Sequence, residues 1–109
     1  MRNFSEKDWK LFRKKLPDWQ EAYMERLCKE YIDLLSSDID ASDRFWELEK
    51  RIKADRKKTG VIAIMSRSQM IFNIASLVND GAISMDDLEE FSDDVKVAVR
   101  MMLRKEDVE

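Results

Sequence analysis

Apolar positions in this chain recur at spacings of three and four residues, the rhythm of helices that bury one face. The first run is Trp9, Phe12 and Leu16. Ser5 and Asp8 ahead of it form a capping box, and Phe4 is placed to staple onto Trp9, so a helix is predicted from Ser5. Pro17 is expected to end it, because the residue before a proline avoids helical backbone. A second helix is predicted from Pro17 or Asp18 to Leu35, with Asp18 and Glu21 as its box. Tyr23, Met24, Leu27, Cys28, Tyr31, Ile32, Leu34 and Leu35 share half of its wheel, with charged residues mostly opposite. A third helix, from Ser42 to near Gly60, carries a narrow stripe of Phe45, Leu48 and Ile52. Gly60 is expected to close it in the left-handed conformation.

Val61 to Asn79 is apolar over most of its surface and is predicted as a fourth, central helix. Arg67 falls on its apolar side, so a carboxylate partner is expected from segments 16–43 or 80–94. The alternative is a break, with a new helix starting at Ser66 and Gln69 as its box partner. Asp80 and Gly81 turn the chain into a short fifth helix, Ser84 to Phe91, with Ser84 and Asp87 as its box and Ile83 stapling onto Leu88. Ser92 caps a sixth, from Asp93 to about Lys105. The expected architecture is all-α: a compact bundle of five or six helices, one domain over residues 1–109, with the second and fourth helices at its centre.

Composition agrees with helices. The 109 residues include only 2 Gly and 1 Pro, too few for the turns of a sheet protein. The length suffices for a core without disulfides or metal. The lone Cys28 excludes an internal disulfide and points to a reducing, cytoplasmic setting. It reads as a small apolar residue on a buried helix face rather than a reactive thiol. Residues 1–8 contain Glu6 and Asp8 and no apolar run, so no signal peptide is expected. Ser66, Arg67, Ser68, Gln69 and Asn73 interrupt the one long apolar stretch, which argues against a membrane span.

The inventory for catalysis is poor. With 0 His, the chain cannot build Ser–His or Cys–His nucleophile pairs, and it lacks the commonest transition-metal ligand. The two glycines, Gly60 and Gly81, cannot make a phosphate-binding loop. The acid pairs Asp86/Asp87 and Asp93/Asp94 open helices, where the dipole favours them without any catalytic role. Asp80 to Phe91 has the shape of the second half of an EF-hand loop, with Gly81, Ile83 and Asp87 in place. Counting back, however, puts Ser76 and Val78 at ligand positions, and Val78 cannot ligate through its side chain. The chain is therefore expected to be no enzyme and to hold no cofactor or metal.

Charge is unevenly spread around a net −3. Residues 16–43 carry eight acidic and two basic groups, residues 44–58 seven basic and three acidic, and residues 80–94 seven acidic and none basic. Such blocks suit neighbouring helices with complementary surfaces. Arg51, Lys53, Arg56, Lys57 and Lys58, with Trp46 nearby, are the candidate nucleic-acid contacts. Pairing of this run with the acidic second and fifth helices is the competing explanation, and the acidic chain favours it. Trp46 lies about 100° off the Phe45–Leu48–Ile52 stripe, and Val97 and Met101 project opposite the Val95–Val99 face of the last helix. One core cannot easily cover both sides, so Trp46, Val97 and Met101 are the candidate partner contacts.

Residues 76–91, a helix followed by Asp80-Gly81-Ala82-Ile83-Ser84 and then acids and Phe91, resemble the short two-helix module called SHOCT, which implies a packing or oligomerisation element. Phe4-Ser-Glu-Lys-Asp-Trp9, Leu16-Pro-Asp-Trp-Gln-Glu-Ala-Tyr23, Phe45-Trp-Glu-Leu-Glu-Lys-Arg51 and the Asp80-Gly81 turn together resemble a set of small uncharacterised bacterial helical proteins. That resemblance implies no substrate and no site residues. The functional expectation is a non-enzymatic protein-binding or regulatory module that self-associates. The alternative is a nucleic-acid-associated accessory protein that uses the basic helix 44–58.

Overall fold

A computed structural model describes residues 4–107, with side chains described as far as Arg104. The chain forms four α-helices: α1 (Glu6–Leu35), α2 (Ala41–Asp55), α3 (Met70–Asn79) and α4 (Asp93–Asp107). Short 3-10 turns at Arg67–Gln69 and Met85–Leu88 precede α3 and α4, and no strand occurs among the described residues. The all-α class is as expected. The count of five or six helices is not, and three local causes account for the difference.

The first is Pro17, which does not end a helix but lies inside α1. Proline removes one backbone donor and crowds the preceding turn. Pro17 is exposed, so water can satisfy the freed carbonyl. The apolar rhythm also crosses it unbroken, as Trp9, Phe12, Leu16, Tyr23 and Leu27 are all buried on one side of the helix. Asp18 and Glu21 are therefore mid-helix and exposed, not a capping box.

The second is the end of α2. Gly60 has no positive φ and is not a left-handed cap. It is glycine because its Cα lies against the Tyr23 ring, where a Cβ would overlap the aromatic carbons. Helix α2 stops at Asp55, and the chain crosses α1 at Gly60. The third is the predicted central helix at 61–79. Val61 to Ser66 is not helical, and Ser66 itself is extended. Asn73, buried in α3, donates its side-chain amide to the Ile64 carbonyl at 2.9 Å and so holds the extended strap. The break at Ser66 is real, but the Ser66–Gln69 box does not form; the Ser66 hydroxyl lies 3.3 Å from that of Ser68. The fifth element is likewise only the single turn Met85–Leu88.

Arg67 pairs with a carboxylate, but with Glu6 at 2.6 Å rather than with an acid from 16–43 or 80–94. It lies over the Trp9 ring and is largely exposed, so the premise that it is buried fails. Losing helix at 61–66 removes Arg67 from the apolar side on which a continuous helix would have set it.

The core joins the first half of α1 to α3 and α4. Trp9, Phe12 and Leu16 pack with Met70, Ile74 and Leu77 of α3, Leu88 and Phe91 of the turn, and Val95 and Val99 of α4. The centre is thus α3 with the start of α1, not the predicted second helix, whose apolar residues are only partly covered. Gly81, at φ +76°, closes α3: its N–H bonds the Val78 carbonyl and the Ala82 N–H that of Leu77. The second half of α1 and all of α2 form an antiparallel hairpin, and the molecule measures 52 × 31 × 23 Å.

One buried carboxylate holds two helix starts together. Asp8, 3% exposed, accepts the Ser92 N–H at 3.0 Å and the hydroxyls of Ser92 and Ser5 at 2.7 and 2.8 Å. Its own N–H donates to Ser5 Oγ. Ser5 caps α1, and the Ser92 hydroxyl accepts the Val95 N–H in the first turn of α4. Burial pushes the Asp8 carboxyl up, but the Ser92 and Ser5 donors and Lys7 outweigh it and hold the group below its usual 3.8. A depressed pKa adds stability that is complete above the unfolded value and is lost as pH falls through the folded one. Asp8→Ala should cost about 2 kcal/mol in urea unfolding at pH 7, since it strands the half-buried Ser92 donors of α4 and loosens the Ser5 cap of α1. The gap between wild type and variant should narrow as pH falls below about 4.

Candidate partner-binding surface

The hairpin is built on polar contacts. On α2, Arg44, Leu48, Arg51 and Asp55 follow one another at spacings of four, three and four and face α1. Arg44 donates to the Leu35 carbonyl at 2.9 Å. Arg51 reaches Glu30 at 2.8 Å and lies over the Tyr31 ring, whose hydroxyl donates to Asp55 at 2.5 Å. Gln20 donates to the Thr59 carbonyl at the base. The stripe expected to face inward, Phe45–Leu48–Ile52, is therefore turned aside: Phe45 is 63% exposed and Ile52 43%, with only Leu48 half-buried.

At about 100° per residue, Phe45 and Ile52 lie some 70–90° round α2 from its inward line. On α1 the inward line runs through Tyr23, Leu27 and Tyr31, and Met24, Cys28 and Leu35 lie about 60–100° from it in the same rotational sense, with Ile32 further on. In an antiparallel pair, equal rotation seen from each N-terminus brings side chains to the same flank. Cys28, Ile32 and Leu35 of α1 and Phe45 and Ile52 of α2 thus share one apolar flank, with Ile39 exposed in the connecting loop. The opposite sense carries Glu30 and Arg51, which do meet. The core packs against the side of α1 that carries Tyr23 and Leu27, and on that second flank Arg26 donates to the Gly81 carbonyl at 2.7 Å. The apolar flank faces away from the body.

Cys28 is expected to be buried and is exposed, because no described residue covers its flank. The sequence signal for this surface existed in the apolar half-wheel of 23–35, but assigning that face to the core concealed it.

Each proposed contact residue has a definite place. Trp46 is 62% exposed on the outer edge of α2, its ring 5.0 Å edge-on to that of Phe45, so it adjoins the apolar flank. Val97 and Met101 are exposed on α4. They line a shallow depression of about 400 Å³ with Arg100, Leu103 and Arg104, its described lining residues all from that one helix. It does not include Trp46, so the three residues form two separate patches. The basic run is not a single helical face, since α2 ends at Asp55. Arg51 is held by Glu30 and Asp55, and Lys53 pairs with Glu49 at 3.3 Å. Arg56 and Lys57 are exposed beyond the helix and Lys58 is half-buried. Of the acidic partners expected for this run, the second predicted helix supplies Glu30, while Glu90 of the fifth pairs with Lys15 instead.

No group of acids and Cys able to hold a metal ion occurs among the described residues, and no described helix is long and apolar enough to cross a membrane. The SHOCT-like stretch contributes Ile83, Leu88 and Phe91 to the core. No family model matches the chain, and neither a curated protein nor a solved structure matches it.

The two tyrosines both sit on the inward line of the hairpin. Burial raises the Tyr31 phenol, and the bond to Asp55 raises it further; burial also raises Tyr23, against the opposing pull of Lys58. A raised folded pKa adds stability present below the unfolded value and lost as pH rises through the folded one. At about pH 10 the native protein should show little tyrosinate absorbance while the urea-unfolded chain is near half-ionised, and stability should fall above that pH. Arg51→Ala, which removes an ion pair and a cation–π contact at a partly exposed site, should lower stability by about 1 kcal/mol in thermal unfolding.

Proposed function

We propose that this protein is a non-enzymatic protein-binding module of the cytoplasm whose working surface is the apolar flank of the α1–α2 hairpin. The observation that carries the reading is the exposure of Ile32, Leu35, Phe45 and Ile52 on one flank, away from the body. Scattered exposed apolar residues are normal, but a contiguous set on two adjacent helices is what a partner covers. Burying each such side chain is worth about 1–2 kcal/mol. The free thiol of exposed Cys28 suits a reducing compartment. Trp46 extends the surface at its edge, while Val97 and Met101 form a smaller second patch. The nucleic-acid reading has less support, because Arg51 and Lys53 are engaged by carboxylates.

Ile32→Glu with Phe45→Glu tests the reading, since both side chains are exposed and the change should leave helicity and melting temperature nearly unaltered. Chemical cross-linking in concentrated protein and in native lysate should show complexes with wild type and lose them with the variant. Complexes that persist unchanged in the variant would contradict the assignment of the surface. Salt-sensitive retention on duplex DNA, lost in Arg56→Ala/Lys57→Ala, would favour the nucleic-acid reading instead.

A further inference from the structure

We infer that the occupant of the apolar flank is a second copy of this chain, related by a two-fold axis parallel to the hairpin. The inference rests on the protein-binding reading and specifies its partner. A rotation of 180° about such an axis lays α1 of each copy against α2 of the other and makes a four-helix bundle of two hairpins. On α1 that flank is clear of the body, whose contacts Trp9, Phe12 and Leu16 share the side of Tyr23 and Leu27.

The register of the hairpin determines which residues would face one another. Gln20 reaches Thr59, Arg44 reaches Leu35, Arg51 reaches Glu30 and Tyr31 reaches Asp55, so residues whose numbers add to between 79 and 86 lie level along the hairpin, nearest 80 at both its ends. The parallel two-fold keeps level residues level. Ile52 then faces the second copy's Cys28, and Phe45 faces the second copy's Leu35. At the rim, Arg56 comes level with the second copy's Glu25. Both are exposed, and neither is paired with another described side chain. The rim of α1 near the base carries Glu21 and Glu25, and Arg56 stands at the C-terminal cap of α2. The rotation therefore matches acid with base twice, once on each side of the axis. Charge complementarity of this kind selects a partner and its orientation.

The area is also what such an interface needs. Ile32, Leu35, Ile39, Phe45 and Ile52, with Trp46 at the edge, together present on the order of 500 Å² of apolar surface. A standard interface buries about 800 Å² per partner, somewhat over half of it apolar. The rim residues supply the remainder.

Sedimentation equilibrium at about 50 μM, with circular dichroism as a check of fold, is the test. Wild type should sediment as a species of twice 13.0 kDa, and Ile52→Glu as a monomer of unchanged helicity. Arg56→Glu and Glu25→Arg should each weaken the dimer about tenfold, because the symmetry counts each rim pair twice. The combined Glu25→Arg/Arg56→Glu variant, which restores opposite charges, should return to within about threefold of wild type. A monomeric wild type would overturn the inference. A dimer indifferent to Ile52→Glu, or one whose single charge reversals are not rescued by the pair, would overturn it too. A monomeric wild type that still captures a foreign protein through Ile32 and Phe45 would refute self-pairing while leaving the binding-module reading intact.

Discussion

Thirty residues of α-helix span about 45 Å, and the core is fastened to only the first half of that length. Everything unusual about the molecule follows from this mismatch. Asp8 locks the start of α1 to the start of α4, and Trp9, Phe12 and Leu16 fill the space between them and α3. Beyond Trp19 the helix continues without a body beneath it. There it is accompanied mainly by α2, with Gly60 against Tyr23 and Gly81 bonded by Arg26, and the flank beside Cys28 and Ile32 is left bare. A helix that ended at Pro17 would have allowed the second half to fold back onto the core. Continuity through Pro17 prevents that.

Local chemistry was easiest to read from the sequence. The Ser5–Asp8 pair, the Gly81 turn, the Ser84–Asp87 box and the Ser92 cap depend on neighbours within a few residues, and each occurs where its residue types stand. The inward faces of the first and last helices, Trp9–Phe12–Leu16 and Val95–Val99, were equally plain. What could not be read was the competition between distant groups. The second bond set of Asp8, to Ser92, links residues 84 apart and has no local signature. Gly60 signalled a helix cap, whereas its real constraint is the ring of Tyr23. Arg67 signals burial only if a helix runs from Val61, whereas the strap that Asn73 ties down keeps 61–66 out of helix and α3 begins at Met70.

For the partner surface, the misleading feature was the stripe on α2. Phe45, Leu48 and Ile52 have the spacing of a core face, yet Arg44, Arg51 and Asp55 have a nearly identical spacing one position away and win the contact with α1. Arg51 and Tyr31 each satisfy two partners at once there, which a pair of exposed aliphatic contacts would not match. A shift of one position is most of a right angle on the wheel, and it moves two large side chains to the open flank. Trp46 lies outside the core, as its offset from the stripe implies, and its ring meets that of Phe45 on the outer side of α2.

The native Cys28 sits on that flank and reports directly on whether anything covers it. Its rate of reaction with a thiol reagent, followed across protein concentrations from about 1 to about 100 μM, measures coverage without any substitution. If the flank is the contact between two copies, the rate falls as concentration rises, and it stays fast at every concentration in Ile32→Glu/Phe45→Glu. A wild-type rate that is fast and independent of concentration would contradict the account.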